Sequence, residues 1–287
     1  MSSIFFAWFA SITYGLYCVV AKFISKYKIK NSYQFSFFYT LFSGIIMATV
    51  SYINGGRLAF NWTYIFLAAI FLAFGNALFL TALKNLDVSV IAPLFNIRTA
   101  MTVLLGFFVL GETFSTKSLL IIAIIFIAGF FTSMDEKFSI KSFFTIHIGI
   151  GLFLMFVLAI QSIFINQAID QTNYWTATLW MSLLAIIFSF IFLFSNFKND
   201  LRQTKLKDYL GVGLLALIGG TGDLAAFKAF ENNIGMSSVI ISLPISMFMI
   251  FVLSIWKPAL LEKHSLKVYL VRFTAAGIMV WGALQLK

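Results

Sequence analysis

Residues 88–110 read VSVIAPLFNIRTAMTVLLGFFVL. The stretch carries one charge, Arg98, at least ten residues from either end. As a helix it rises ~1.5 Å per residue, enough to cross a hydrocarbon core that takes roughly 20 apolar residues. A guanidinium in that position costs ~2.5–3.5 kcal/mol on insertion scales, so it should face protein or a water-filled cavity. Three readings are open for it. It forms a structural ion pair, it anchors an anionic group of a solute in bidentate fashion, or it snorkels along the lipid face.

The rest of the chain has the same character. Of 287 residues, 61% are hydrophobic and 10% charged, Phe occurs 36 times, and the mean hydropathy is +0.97. Too few charges remain to coat a soluble exterior. That excludes a soluble enzyme, a disordered chain and a secreted disulfide scaffold. The formal charge of +10 does not indicate nucleic acid, because Lys and Arg sit in short gaps between apolar runs and not on one solvated face. The single Cys18 can form no internal disulfide.

Ten runs of spanning character lie at 4–20, 33–53, 62–83, 88–110, 118–134, 143–165, 174–194, 209–227, 236–256 and 266–286. Helices are expected, because in lipid each backbone polar group must be satisfied within its own segment. The alternation of a β-barrel is absent. The first run has no Lys or Arg before it and reads as a span, not a cleaved signal. The longest gap, 195–208, is too short for a domain, so function must lie within the bundle. Fourteen of the twenty Lys and Arg fall in the gaps after odd-numbered runs. Four (Arg57, Lys117, Lys228 and Lys287) fall on the other side, and Arg98 and Arg272 lie within runs. Positive charge marks the cytoplasmic side, which places both termini outside. Arg272 is close enough to an end of its run to snorkel inward.

The two halves resemble each other. A shift of 147 superposes Gly75 on Gly222, Asn76 on Asp223, Ala82 on Ala229 and Asn85 on Asn232. A shift of 150 superposes Asn96 on Ser246, Glu112 on Glu262 and Ser115 on Ser265. Each copy holds five spans, an odd number, so the second enters the membrane from the opposite face. The expected fold class is therefore all-α and integral to the membrane. It has ten transmembrane helices in two inverted five-helix repeats, 1–137 and 138–287, as in many secondary transporters.

Particular motifs add to this. They are Ala82-Leu83, Ser89-Val90-Ile91-Ala92-Pro93-Leu94, Leu110-Gly111-Glu112 with Ser115, and Ala128-Gly129. The second half repeats them in reduced form at Ala229, Pro244, Leu261-Glu262, Ser265 and Ala276-Gly277. With these the chain resembles the EamA-type ten-helix members of the drug/metabolite transporter superfamily. Two departures stand out: Thr99 occupies a position where the family commonly has Pro, and the charges oppose the family's commoner orientation with both termini cytoplasmic. The resemblance implies a cavity framed by spans three, four, eight and nine, with one and six beside them.

Within that frame the candidate residues are few. Asp223 follows Gly219-Gly220-Thr221-Gly222 and pairs with Asn76 through the repeat, suggesting one polar group per half at matching depth. Asp223 could neutralise Arg98, bind a proton or cation, or reach water at the span end. Gly220-Thr221-Gly222-Asp223 also spells the G-x-G-D of intramembrane aspartyl proteases, but that chemistry needs two facing carboxylates, and every other Asp falls in a gap. Pro93 and Pro244 are candidate kinks, matched interruptions that in transporters point to the substrate site. Asn96 and Ser246 add one hydrogen-bonding group per half, and Tyr14 and Tyr17 on span one could line the same cavity or serve only in packing. Glu112 and Glu262 read as helix caps. His147 and His264 match no metal-ligand spacing, and no P-loop or dinucleotide fingerprint occurs, so no metal and no cofactor is expected.

The function expected is secondary transport of a small organic metabolite, anionic or zwitterionic, across the cell membrane by alternating access. Its partners would be the solute, the lipid bilayer and protons or Na+, with no nucleic acid, in a monomer or weak homo-oligomer. Three rivals remain: a lipid-intermediate flippase on the same fold, an intramembrane hydrolase using Asp223, and a non-transporting receptor or assembly subunit. No enzymatic role is expected.

Overall fold

The computed structural model describes residues 2–85, 88–131, 146–201, 204–256 and 266–286. Regular structure within them is helical throughout: α1 (Ser3–Tyr27), α2 (Ser32–Ile53), α3 (Thr63–Asn85), α4 (Val88–Leu110), α5 (Thr116–Phe131), α6 (Ile146–Asp170), α7 (Tyr174–Phe197), α8 (Leu206–Phe230), α9 (Ile234–Ile241), α10 (Ile245–Trp256) and α11 (Leu266–Leu284). Six of these are long and apolar enough to cross a membrane, and shorter apolar helices account for the remaining spans. Eleven described helices make ten spans, because the ninth is broken into α9 and α10. The expected junction between the two halves, at 137–138, lies outside the described residues.

Helix starts follow from local chemistry. Asn31 accepts from the backbone N–H groups of Tyr33 and Gln34, Asn173 from Thr176 and Asn233 from Met236. Each satisfies donors that the first helical turn leaves without partners. Several helices run past the expected spans. α1 continues to Tyr27, so Lys22 and Lys26 lie on the helix and not in a gap. Backbone hydrogen bonding does not stop where the hydrocarbon does, and charged side chains are tolerated once the helix reaches the interface.

The packing obeys the repeat. α1 packs on α8 as its counterpart α6 packs on α3. α2 faces its own counterpart α7, and α5 faces α11. α1 also meets α9 and α10, as α6 meets α4. Direction is inverted as well. The end of α1 and the start of α2 (Lys28, Lys30, Asn31) share one cleft with the end of α3 (Lys84), the end of α7 (Asn196) and the start of α8 (Asp208). The end of α6 lies at the opposite face, where Asn61 Nδ2 donates to Gln171 Oε1 at 2.6 Å. α1 and α6 therefore cross in opposite senses, and the bundle has a lysine-rich face and an opposite face.

Helix proximity depends on small residues. A Cβ on Gly44 would lie 2.8 Å from the Ile186 side chain, and one on Gly15 would lie 2.9 Å from that of Ile245. The expected caps need one correction. Glu112 does cap a helix, but in the other half of the chain: its carboxylate accepts from the backbone N–H groups of Ile234 and Gly235 at the start of α9. Glu262 lies outside the described residues. Burial pushes the Glu112 carboxyl above its ordinary range, and the two backbone donors pull it part of the way back.

Candidate functional site: a charged cavity between the two repeats

At the centre of the bundle, α1, α3, α4, α6 and α8 and the α9–α10 break, joined by Tyr39 of α2, line a cavity of about 120 Å³. Its wall includes Tyr14, Tyr17, Asn76, Arg98, Asp223, Pro244 and Ser246. These are seven of the positions singled out from the sequence, drawn from both halves.

Asp223 is held from two sides. Tyr14 Oη donates to Oδ1 at 2.6 Å, and Tyr39 Oη donates to Oδ2 at 3.5 Å. Tyr17 stacks obliquely on Tyr39, with ring centroids 5.1 Å apart. The glycine run before Asp223 makes room for these rings. A Cβ on Gly222 would lie 3.1 Å from the Tyr14 ring, and one on Gly219 would lie 2.9 Å from that of Tyr39. Within the G-x-G-D pattern itself, Gly222 packs on Tyr14 and Gly220 on Ser43. Asp223 is the carboxylate among the described cavity-lining residues, so the two-carboxylate geometry of a protease is not assembled there.

Arg98 is buried, 9% exposed. One terminal nitrogen, Nη2, donates to Ser162 Oγ on α6 at 3.2 Å, and its Nε has no partner. It makes no contact ion pair with Asp223, although the two opposite charges attract each other across the cavity. Snorkelling is excluded as well, because the side chain turns into the cavity. Beside it, Gln161 Oε1 is also buried without a partner. The cavity thus presents a cation with an unused donor, an unused acceptor and a tyrosine-bound carboxylate, against an apolar wall that includes Phe79, Phe95, Leu158 and Phe227. Eight buried side-chain polar atoms lack a partner among the described residues, and three of them, on Ser11, Arg98 and Gln161, line this cavity.

Other expected positions fall differently. Asn76 lines the cavity and donates to Thr40 Oγ1 at 3.2 Å. Asn96 is buried at 3% exposure but lies against Gly129 of α5, with no room between them for a methyl group, and it does not line the cavity. Arg272 is 4% exposed and does not reach solvent by snorkelling. Pro93 lies within α4, whose backbone is helical throughout, and its side chain lies outside the described residues. Pro244 is more than a kink, since the helix stops at Ile241 and restarts at Ile245. Four cavity groups had not been singled out: Tyr39, Gln161, Ser162 and Ser242. The adjacent Gln161 and Ser162, in the middle of an otherwise apolar run, were the available signal for two of them.

A bundle of spans in two inverted repeats, with a polar, charged cavity where they meet, is the architecture of a membrane transporter. Residues 1–134, a little under half of the chain, match the model of the EamA-like transporter family, which lies within the drug/metabolite transporter superfamily. Among solved structures, one titled only "Crystal structure of protein" is 14% identical, with a TM-score of 0.67, over 98% of this chain and 97% of that one. At that identity the likeness concerns the fold. No curated protein matches the chain.

Proposed function

We propose that the protein is a secondary transporter that moves a small anionic or zwitterionic organic solute across the cell membrane by alternating access. Its halves, 1–137 and 138–287, would rock about the central cavity. The observation that carries the reading is Arg98. A cation buried beside apolar walls, with a donor unused and no carboxylate paired to it, is a costly feature to retain without a ligand. A carboxylate or phosphate group arriving in the cavity would use that donor. Asp223, fixed by Tyr14 and Tyr39, would then receive the solute's amine, a proton or Na+. Asn76, Ser246 and Tyr17 would contact the rest of the solute. Asn96 drops out of the proposed set, since it faces α5. The lysine-rich face would lie in the cytoplasm, with both termini outside.

The test is thermal unfolding of purified protein against a panel of small metabolites at two pH values. A ligand that binds the folded state raises the unfolding temperature in proportion to its occupancy. Anionic and zwitterionic metabolites should stabilise the wild type, and Arg98→Ala should abolish the response. A panel in which only cations or neutral compounds stabilise would overturn the assignment of Arg98.

A further inference from the structure

α9 is eight residues long, about 12 Å at the α-helical rise. It runs from the face opposite the lysine cluster down to the cavity, where Ile241 and Ser242 form part of the wall. Every residue of it except Met236 is buried, packed against α1, α4 and α8 between that face and the cavity. Both of its ends are tethered to span four of the other repeat. At the outer end, Glu112, two residues beyond α4, accepts from Gly235 N–H at 3.0 Å and from Ile234 N–H. At the cavity end, Thr99 Oγ1 of α4 donates to Ser242 Oγ at 2.6 Å.

The surroundings of Glu112 are shaped for this contact. A Cβ on Gly106 would lie 2.5 Å from the carboxylate, and one on Gly235 would lie 2.9 Å from it and 2.6 Å from the Phe114 ring. Gly111 takes a positive φ of 68°, a conformation that glycine adopts without steric cost, and so turns the chain to bring Glu112 back over the bundle. A carboxylate on the first N–H groups of a helix gains both charge-assisted hydrogen bonds and the helix dipole.

We propose that Glu112 is a gate latch: it pins the half-helix α9 across the mouth of the cavity, and the cavity opens to the face opposite the lysine cluster when this contact breaks. The inference rests on the alternating-access reading for its purpose, but its test reads opening alone, so it stands or falls without any solute having been found.

Cys18 is the one cysteine of the chain and lines the cavity, so it reports access directly. The protein is reconstituted in liposomes and treated with a membrane-impermeant methanethiosulfonate reagent from one face or the other. In Glu112→Gln, labelling of Cys18 from the Glu112 face should rise about tenfold, the change expected for the loss of roughly one charge-assisted hydrogen bond. Labelling from the lysine-rich face should stay level or fall, as a population shift between two states requires. Gly235→Ala keeps the carboxylate but displaces it, and should act in the same direction, which covers the case in which Glu112→Gln does not fold. Glu231→Gln is the control: that carboxylate pairs with Lys228 at the end of α8 and should leave labelling unchanged. An unchanged rate from the Glu112 face in both latch variants, an equal rise from both faces, or an equal rise in the control overturns the proposal.

Discussion

At the scale of single residues, the sequence betrays a site where a side chain contradicts its surroundings. Arg98 and Asp223 stand out because charge is expensive in an apolar span, and both line the cavity. Tyr39 does not stand out, because tyrosine is ordinary in such helices and its role arises only when α2 and α8 meet. Asn96 shows the opposite failure. It sits two positions from Arg98, and at about 100° per residue the two point to nearly opposite sides of α4. Matching it to Ser246 through the repeat could not reveal this, because the break after Ile241 resets the phase of the second helix. Two predictions belong here. Arg98→Ala should leave the protein folded, since Arg98 makes one hydrogen bond, to Ser162, and no contact ion pair; ligand-induced stabilisation should vanish. Tyr14→Phe removes the 2.6 Å hydrogen bond to Asp223 and should cost about 1.5–3 kcal/mol, the usual worth of a hydrogen bond to a charged group, read from chemical unfolding in detergent.

At the scale of elements, most spans were legible to within about five residues because hydrocarbon thickness fixes their length, whereas α1 runs seven residues past its expected end. What the pattern left open was continuity. Pro93 and Pro244 read alike, yet α4 is continuous and the ninth span is broken. Pro93 lies five residues after Val88, just past the first turn, and α4 carries it as an interior proline without interruption. Pro244 lies ten residues after Ile234, in the body of the span. There the chain leaves the helix at Ser242 and Leu243 and restarts, with Ile245 N–H bonded to Leu243 O at 2.7 Å. The glycines of α8 offer a test of packing within one helix. A Cβ on Gly222 would lie 2.7 Å from Thr13 Oγ1 and 3.1 Å from the Tyr14 ring, whereas one on Gly213 would meet nothing within 4 Å. Gly222→Ala should therefore destabilise by about 1–3 kcal/mol through overpacking. Gly213→Ala should be neutral or stabilising by up to about 1 kcal/mol, as expected for an unstrained helical glycine. Equal effects in thermal unfolding of the two variants would mean that α8 does not use Gly222 to approach α1.

At the scale of the molecule, the inverted arrangement was legible from an odd number of spans per repeat, and the directions of α1 and α6 follow it. The sense of insertion is a separate matter, because an inverted repeat looks much the same from either side and the family's commoner habit is the reverse of what this chain's charges favour. Here the asymmetry is large: fourteen cations against four. Several of the fourteen gather spatially, since Lys28, Lys30 and Lys84 line one cleft although they come from two different gaps. Loop cations resist crossing the membrane during insertion, whereas acidic residues count for little, so the presence of Asp200 and Asp208 in the same cleft does not cancel the bias. The lysine face should therefore be cytoplasmic and the C-terminus external. An epitope placed after Lys287 should be removed by protease added to intact cells, while one placed in the gap at 195–208 should be protected. If the charges set the orientation, replacing Lys28, Lys30, Lys84 and Lys198 with Gln, and adding Lys near Asn54 and Asn61 on the other side, should bring the two tags toward equal accessibility. A protected C-terminal tag in the unaltered protein would show that the family's habit prevails over the charge imbalance, and it would turn the Glu112 latch from an outer gate into an inner one without altering its contacts.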